Sequence, residues 1–178
     1  MDLASVEGLE GLTIGRLAGE LGASKSGLVG RFGDKAAMQR AILECAIERF
    51  TAAVWEPASG AKRGLPRLEA IVDAWIEHLR SDVFPGGCFV TTASVEYDAR
   101  PGPLHDDVAV AVRRWLAVLE AEARHARAAG DMDRDPADVA FELHSLASGG
   151  SVAGRLLGDP GALDRVRAAM RRALGLAP

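Results

Sequence analysis

The chain has 178 residues, enough for one domain or for a small domain joined to a larger one. Hydrophobic residues make up 48% of it, enough for a buried core, and no apolar run reaches the length of a membrane span. Two cysteines are too few for a disulfide framework, and the net charge of −4 argues against a uniformly basic surface. We therefore expect a cytoplasmic protein without a signal peptide, with any basic patch confined to one part of the chain.

Residues 13 to 35, TIGRLAGELGASKSGLVGRFGDK, predict two short helices joined by a tight turn. Thr13 is placed to cap the first helix, and Gly22 is placed to end it in the left-handed conformation that glycine adopts without strain. Ser24 is placed to cap the second helix, which follows it directly. This is the pattern of a helix-turn-helix, whose second helix enters the major groove of DNA.

The same stretch holds the local concentration of positive charge. Residues 24 to 40 contain four basic residues and one acidic residue, a local charge of +3 in a chain that is acidic as a whole. Because the position of charge matters more than its sum, the net charge of the chain does not exclude DNA binding.

The segment GLTIGRLAGELGASKSGLVGRFGDKAAM, residues 11 to 38, resembles the DNA-binding segment of the tetracycline-repressor (TetR/AcrR) family of transcriptional regulators. The resemblance covers residues 8 to 50 and rests beyond them on the order and length of helices. It implies an all-α protein with an N-terminal helix-turn-helix head and a C-terminal ligand-binding and dimerisation body. It further implies a homodimer on a double-stranded DNA operator and a small-molecule effector. The residues that carry it are Gly11, Thr13, Ala18, Gly22, Ser24, Lys25, Leu28, Phe32 and Lys35.

From the motif we predict contacts with DNA bases or phosphates by Thr13, Ser24, Lys25, Ser26, Gly27, Val29, Arg31 and Lys35. The family usually has a tyrosine at the position of Val29, so this sequence departs from the pattern there. Gly27 and Gly30 each weaken a helix by about 1 kcal/mol relative to alanine. Either they let the DNA backbone approach closely, or the helix becomes fully ordered only on DNA.

Residues 1 to 7 are short for the first helix, which in the resembled family has three or four turns and braces the head. Two interpretations remain open. The true start lies upstream of Met1 and the first helix has been lost, which we favour, or the protein manages with a stub. In both cases we expect a loosened head, because part of its small core is missing.

Pro- and Gly-rich breaks divide the rest of the chain into predicted helices. Residues 56 to 67, EPASGAKRGLPR, predict a linker, and we place the DNA-binding domain at residues 1–50 and the ligand-binding and dimerisation domain at 51–178. Residues 88 to 98 contain valines and threonines typical of a strand. A single strand would lack a partner, so we predict a helix there. The predicted helices span residues 34–54, 66–81, 88–98, 104–129, 136–157 and 160–174.

The resemblance implies a mostly apolar ligand pocket among the helices of the body. Core packing is the simpler explanation for each aromatic residue alone, but Trp75, Cys88, Trp115 and His144 come from four different predicted helices, which is consistent with a shared cavity. Few charges fall among the candidates, which favours an uncharged or weakly acidic ligand with aromatic or aliphatic parts. The candidates are Trp75, His78, Leu79, Cys88, Phe89, Thr92, Tyr97, Trp115, Leu119, Phe141 and His144.

Residues 145 to 154, SLASGGSVAG, carry small side chains inside a predicted helix, which would let a second helix approach closely. We interpret this stretch as a self-association face of a homodimer, since two-fold dimers read paired DNA half-sites. The alternative is a helix contact within one subunit. The predicted interface residues are Ser148, Gly149, Val152, Ala153 and Leu156.

No pattern in the sequence predicts an enzyme. There is no phosphate-binding loop, no GxSxG elbow and no paired-cysteine motif, and the four histidines lack the spacing of a helical metal clip, so we expect no metal and no cofactor. The predicted function is a DNA-binding transcriptional regulator, a repressor that a small molecule releases from its operator. The alternative is a small-molecule-binding relative with weakened or lost DNA binding. The sequence identifies neither the effector nor the operator, and it does not separate a repressor from an activator.

Overall fold

The computed structural model describes residues 1–81 and 83–177. These residues form helices and loops without a strand, which confirms the predicted all-α class. A π-helical segment, Thr51–Trp55, joins the fourth α-helix to the fifth. The α-helices in chain order are α1 (Asp2–Glu7), α2 (Ile14–Leu21), α3 (Lys25–Phe32), α4 (Lys35–Phe50), α5 (Glu56–Ser59), α6 (Leu65–Arg80), α7 (Phe89–Tyr97), α8 (Pro103–Ala129), α9 (Pro136–Arg155) and α10 (Ala162–Ala173).

The chain divides into two compact units. The first consists of Met1–Arg49 and Phe84–Val112, and the second of Phe50–Val83 and Arg113–Pro178. The predicted head therefore shares its unit with α7 and with the beginning of α8, which a boundary near residue 50 does not anticipate. Helix α8 begins in the first unit, and its residues from Arg113 onward belong to the second.

The first unit has a closed core although α1 is only six residues long. Leu9 and Leu12 are fully buried, as is Met38 of α4. Gly86 lies so close to α1 that an added Cβ would stand 1.7 Å from the carbonyl oxygen of Ser5, and its N–H donates to the Ser5 hydroxyl at 3.0 Å. The loosened head expected from the short first helix is not observed, because the turn before α7 packs onto that helix.

The second unit is built around α6, α9 and α10. Their buried faces carry Leu68 and Ile71 of α6, which are one helical turn apart, Leu143 of α9 and Met170 of α10. Gly150 of α9 faces α10, where an added Cβ would lie 2.5 Å from Cγ2 of Val166. For this glycine, the close approach is therefore a contact within one subunit.

The predicted linker at residues 56 to 67 is only partly correct. Helical backbone continues from α4 through the π-helical segment into α5, and only residues 60–64 separate α5 from α6. Pro57 lies in the first turn of α5, directly after the π-helical segment. Val54 and Ala58 are fully buried, so packing holds the helix beyond the point where composition suggests a loop.

The helical prediction for residues 88 to 98 is confirmed by α7. Its side chains suit a helix because two of their hydroxyls donate to carbonyl groups one turn back. Thr92 bonds to Cys88 at 3.2 Å, and Ser94 bonds to Val90 at 2.6 Å. Asp135 caps α9 as predicted, accepting from the N–H of Ala137 at 2.9 Å. No helix in the described ranges has both the length and the apolar character that crossing a membrane requires.

Candidate nucleic-acid interface and effector site

The turn between α2 and α3 has the predicted caps. The Thr13 hydroxyl accepts from the N–H of Arg16 at 3.1 Å at the start of α2. Gly22 ends that helix with φ of 59°, in the left-handed region. The Ser24 hydroxyl accepts from the N–H of Gly27 at 3.0 Å and thereby opens α3. Local sequence therefore fixes the angle at which the second helix leaves the turn.

Helix α3 turns one side chain inward and leaves the rest of its surface open. Leu28 is buried, together with Leu17 and Ala18 of α2. The outward positions are small, polar or basic, and one of them, Val29, is an exposed apolar residue. The residues predicted to contact DNA on this surface are all exposed: Ser24, Lys25, Ser26, Gly27, Val29 and Arg31.

Lys25 and Arg31 are the cations of the head that have no carboxylate partner among the described residues. The guanidinium of Arg31 lies 5.8 Å from the ring centre of Phe32, on the same helix. The other head cations are paired at 2.8 to 3.3 Å, which neutralises them locally: Arg16 with Glu7 and Glu20, Lys35 with Glu10, Arg40 with Asp107, and Arg49 with Asp2.

These pairs bear on two expectations. Lys35, predicted to contact a phosphate, donates in this structure to the carbonyl of Glu10 at 2.7 Å and to its carboxylate at 2.9 Å. The local charge of +3 is also partly cancelled, because Arg40 bonds to Asp107 at 2.8 Å. The pairing partners are 25 and 67 residues away, so a window along the sequence does not contain them. The remaining positive charge is concentrated on α3.

Five ring side chains of the second unit form what we call the aromatic cluster: Phe50, Trp75, His78, Trp115 and His144. The ring of Phe50 stands edge-on to Trp75, His78 and Trp115, with centres 6.0, 5.3 and 5.0 Å away. Trp75 lies 5.2 Å from Trp115 and 6.2 Å from His144. Such edge-to-face pairs add about 0.5–1.5 kcal/mol each to the burial of their area.

The cluster contains polar nitrogen atoms that are buried without a protein partner. Within the described ranges, Nε1 of Trp75, Nε1 of Trp115 and Nδ1 of His144 make no hydrogen bond. Burial lowers the pKa of His78 to about 4 and lowers the pKa of His144, so both imidazoles are neutral at pH 7. A buried polar nitrogen without a partner costs about 1–3 kcal/mol, so three in one cluster call for an explanation.

The remaining predicted pocket residues are distributed differently. Leu79 is half-buried and Leu119 fully buried in the second unit. Cys88, Phe89, Thr92 and Tyr97 belong to the first unit, where Phe89 packs against Phe84 at 6.1 Å. Phe141 is 70% exposed and lines no interior site, which corrects its assignment to the pocket.

Phe50 is the member of the cluster that sequence reasoning missed. Its position on the apolar stripe of the predicted helix over residues 34–54 was the available signal. Among the described residues, no group of three or more His, Cys, Asp and Glu side chains is arranged to hold a metal ion.

The outer face of α9 is apolar. Val152 is 51% exposed and Leu156 is 78% exposed, and both lie on the same side of the helix as Phe141. Gly149 is exposed on this side, with nothing within 4 Å of an added Cβ, while Ser148 and Ala153 at its margins are half-buried. The predicted interface residues therefore lie on or beside an exposed apolar stripe, which we call the α9 face.

Solved structures of transcriptional regulators share this fold. A TetR transcriptional regulator from Chloroflexus aurantiacus superposes with a TM-score of 0.89, covering 99% of this chain and 90% of that one at 18% identity. A cysteine mutant of CifR complexed with 26-base-pair operator DNA gives 0.79, with coverage of 99% and 92% at 22% identity. AibR in complex with isovaleryl coenzyme A and operator DNA gives 0.71, with coverage of 99% and 92% at 19% identity. No curated protein matches the sequence.

A capped helix-turn-helix with unpaired cations on its second helix, joined to a helical body, defines the class of helix-turn-helix transcriptional regulators. Residues 64–170 match the family model described as tetracyclin repressor-like, C-terminal domain, which covers more than half of the chain. The chain belongs to the tetracyclin repressor-like family. The resemblance drawn from the head and the match of the body concern different parts of the chain and agree.

Proposed function

We propose that the chain is a cytoplasmic, DNA-binding transcriptional regulator, a repressor whose hold on its operator a small molecule weakens. The observation that carries the proposal is the pair Lys25 and Arg31, exposed on α3 without a carboxylate partner in the described part of the chain. Free cations on an open helix can displace counterions from DNA, whereas paired ones must first break their ion pairs.

The test of DNA binding uses DNA from upstream of the chain's own gene, followed by fluorescence anisotropy at several salt concentrations. Replacing Lys25 or Arg31 with alanine should weaken binding and reduce the salt slope by about one each. Arg40→Ala is the matched control, since its side chain is occupied by Asp107, and it should leave the slope nearly unchanged. If the intact protein does not bind at low salt, the alternative of a ligand-binding relative without DNA affinity takes the place of the proposal.

We place the effector site at the aromatic cluster. The unpartnered nitrogens of Trp75, Trp115 and His144 support this, because an effector with acceptor oxygens would satisfy the two indole N–H groups and a polar group on it could pair with Nδ1 of His144. No charged side chain belongs to the cluster, so the favoured effector is uncharged or weakly acidic with an aromatic or branched apolar body. Binding there would release DNA if the ligand prefers the conformation with lower operator affinity.

A matched pair of probes tests the chemistry of this site. Acetophenone and ethylbenzene are of similar size, but only the ketone has an acceptor oxygen. The ketone should raise the thermal unfolding temperature more than the hydrocarbon, and Trp75→Phe should reduce the difference because it removes one donor. Equal shifts from both probes would contradict a donor-lined site.

We further propose that the protein is a homodimer that associates through the α9 face. An exposed apolar stripe on a helix of this length is the expected form of an isologous contact in which two copies pack the same surface against each other.

A further inference from the structure

The C-terminal turn of α7 holds the segment that leads into the helix-turn-helix. The carboxylate of Glu96 accepts hydrogen bonds from the N–H groups of Leu9 and Glu10, each at 2.8 Å. Gly8 makes this approach possible, since it has φ of +79° and an added Cβ would lie 2.9 Å from Oε1 of Glu96. One side chain of α7 thus binds two successive backbone groups of the turn between α1 and α2.

Helix α4 holds the same turn from the carbonyl side. Gln39 donates to the carbonyl of Leu9 at 2.8 Å, and Lys35 donates to the carbonyl of Glu10 at 2.7 Å. The hydroxyl of Tyr97 donates to the Glu10 carboxylate at 3.1 Å. Every backbone N–H and C=O of Leu9 and Glu10 therefore has a side-chain partner on α4 or α7. We call these interactions the latch.

The carboxylate of Glu96 destabilises α7 unless the hydrogen bonds of the latch are formed. A carboxylate in the last turn of a helix faces the negative end of the helix dipole, which disfavours it by about 0.3–1 kcal/mol. The two N–H groups bonded to Glu96 supply the partial positive charge that offsets this. Opening the latch would therefore destabilise the end of α7 and free the turn before α2 at the same time.

The held turn lies directly before the DNA-binding pair of helices. Leu9 and Glu10 precede Thr13, the cap of α2, by a few residues. Lys35 is the first residue of α4 and follows α3, the second helix of the helix-turn-helix, which we call the recognition helix. The latch thus ties the turn before α2 to α7, and Lys35 ties the start of α4 to the same turn. Helix α7 leads through residues 98–102 into α8, whose later part belongs to the second unit.

We propose that Glu96 is a positioning residue for DNA binding, which with Tyr97 holds the helix-turn-helix in the orientation that binds DNA. This inference rests on the proposed DNA-binding function. Glu96 does not touch DNA in this role; it limits the orientations of α3, so that less ordering remains to be done when DNA binds.

The test compares Glu96→Gln and Tyr97→Phe with Asp98→Asn in the full-length protein. Asp98→Asn removes one negative charge at the same helix end, from an exposed residue. Glu96→Gln should weaken DNA binding about tenfold, corresponding to the loss of one charged hydrogen bond, and Tyr97→Phe about threefold. Asp98→Asn should stay within about twofold. The salt slope should not change in any of the three, because no phosphate contact is lost.

Amide hydrogen exchange supplies a second readout. In Glu96→Gln the amides of Leu9 and Glu10 should exchange faster, while those in the middle of α4 should not change. Faster exchange with unchanged DNA affinity would show that Glu96 only stabilises the fold and would overturn the inference. Equal weakening in Glu96→Gln and Asp98→Asn would also overturn it, since the loss would then not depend on the hydrogen bonds that Glu96 accepts from Leu9 and Glu10.

Two further outcomes separate this inference from the proposed function. If the unaltered protein binds DNA and Glu96→Gln binds equally well, only the positioning role fails. If the unaltered protein binds no DNA at 50 mM salt, the proposed function fails and the positioning role with it. Circular dichroism checks folding, and if Glu96→Gln does not fold, wild-type affinity in Tyr97→Phe is the overturning result.

Discussion

The carboxylate of Glu122 on α8 accepts a 2.9 Å hydrogen bond from the backbone N–H of Gly64, the residue that precedes α6. Glu122 is 1% exposed, and its other oxygen is bonded to Arg63 at 3.0 Å and lies 3.5 Å from Arg67. Gly64 itself packs closely on α8, where an added Cβ would stand 3.1 Å from the N atom of Ala126. One buried carboxylate therefore fixes the start of α6 in the second unit.

Replacing Glu122 with glutamine should lower the free energy of unfolding by about 2–3 kcal/mol. The amide keeps the size of the side chain but loses the charge that Arg63 and Arg67 face, and a guanidinium left partly buried without its carboxylate is costly. Urea denaturation at pH 7 measures the change. The matched control is Glu120→Gln on the same helix, whose exposed pair with Arg124 should contribute less than about 0.5 kcal/mol.

The same residue predicts an acid dependence. Burial alone would raise the pKa of Glu122, but the Gly64 N–H and the Arg63 and Arg67 guanidiniums outweigh it and lower the pKa below 4.5. The folded state thus binds this proton less tightly than the unfolded state does. Its stabilising contribution is complete above pH 4.5 and is lost as the pH falls through the folded-state pKa. The stability difference between wild type and Glu122→Gln should shrink over that window, and a constant difference would contradict the assignment.

The sequence was sufficient to predict those features of the structure that depend on neighbouring residues along the chain. Caps at Thr13 and Ser24 and the left-handed Gly22 are all formed within three or four residues, so motif and geometry agree. The Asp135 cap of α9 belongs to the same category. These signals were enough to predict the helix-turn-helix and most helix boundaries.

Contacts between distant parts of the chain could not be predicted in this way. The partner of Lys35 is 25 residues away, and the two N–H groups bonded to Glu96 are 86 and 87 residues away. An aromatic side chain within a predicted helix favours a pocket position for Phe141, but only the packing of α9 decides that it faces outward. Composition likewise could not show that buried Val54 and Ala58 carry the helix through the predicted linker.

His78 should make the protein sensitive to mild acid. Its side chain is 6% exposed, and burial lowers its pKa to about 4, so the unfolded chain takes up the proton first as the pH falls. The contribution of neutral His78 to the free energy of unfolding is complete above pH 6.5. It declines between pH 6.5 and about 4, by at most about 1.4 kcal/mol per pH unit for one histidine. Chemical denaturation across this range should show a shallower decline in His78→Phe.

A phenylalanine at position 78 keeps a ring against Phe50, whose centre lies 5.3 Å from that of the histidine. Phe50→Leu is the control, because it weakens the cluster without removing a titrating group. It should lower stability by a similar amount at every pH, so that its curve runs parallel to that of the wild type. A wild-type pH profile in His78→Phe would leave the acid sensitivity to other groups, His144 among them, since burial lowers its pKa too.

A substitution at Gly30 can distinguish the effect of this residue on helix stability from its effect on DNA contact. Nothing lies within 4 Å of an added Cβ at Gly30 in α3 or at Gly19 in α2, so alanine fits at both positions. Each change should stabilise the protein by about 0.5–1 kcal/mol through helix propensity. If Gly30 allows close approach of the DNA backbone, Gly30→Ala should nevertheless weaken DNA binding, whereas Gly19→Ala should not. If α3 is instead merely unstable without DNA, Gly30→Ala should bind DNA more tightly. Chemical denaturation and fluorescence anisotropy on the same two variants distinguish these two roles of Gly30.

The α9 face predicts a dimer that one charge can dissociate. Val152 lies between Phe141 and Leu156 on the exposed stripe, and two-fold packing would bring it close to its own copy. Val152→Glu should place two like charges in an apolar contact and shift the protein to monomer in sedimentation velocity at micromolar concentration. Because Val152 is already exposed in the single chain, helix content should be unchanged. Val95→Glu is the control, since Val95 is also exposed but lies on α7 in the other unit, and it should leave the dimer intact.

The monomeric variant should also bind DNA much more weakly, because one recognition helix reads only one half-site. A dimer that survives Val152→Glu would exclude the α9 face as the contact between subunits. If the wild-type protein is itself a monomer, the proposed homodimer is wrong.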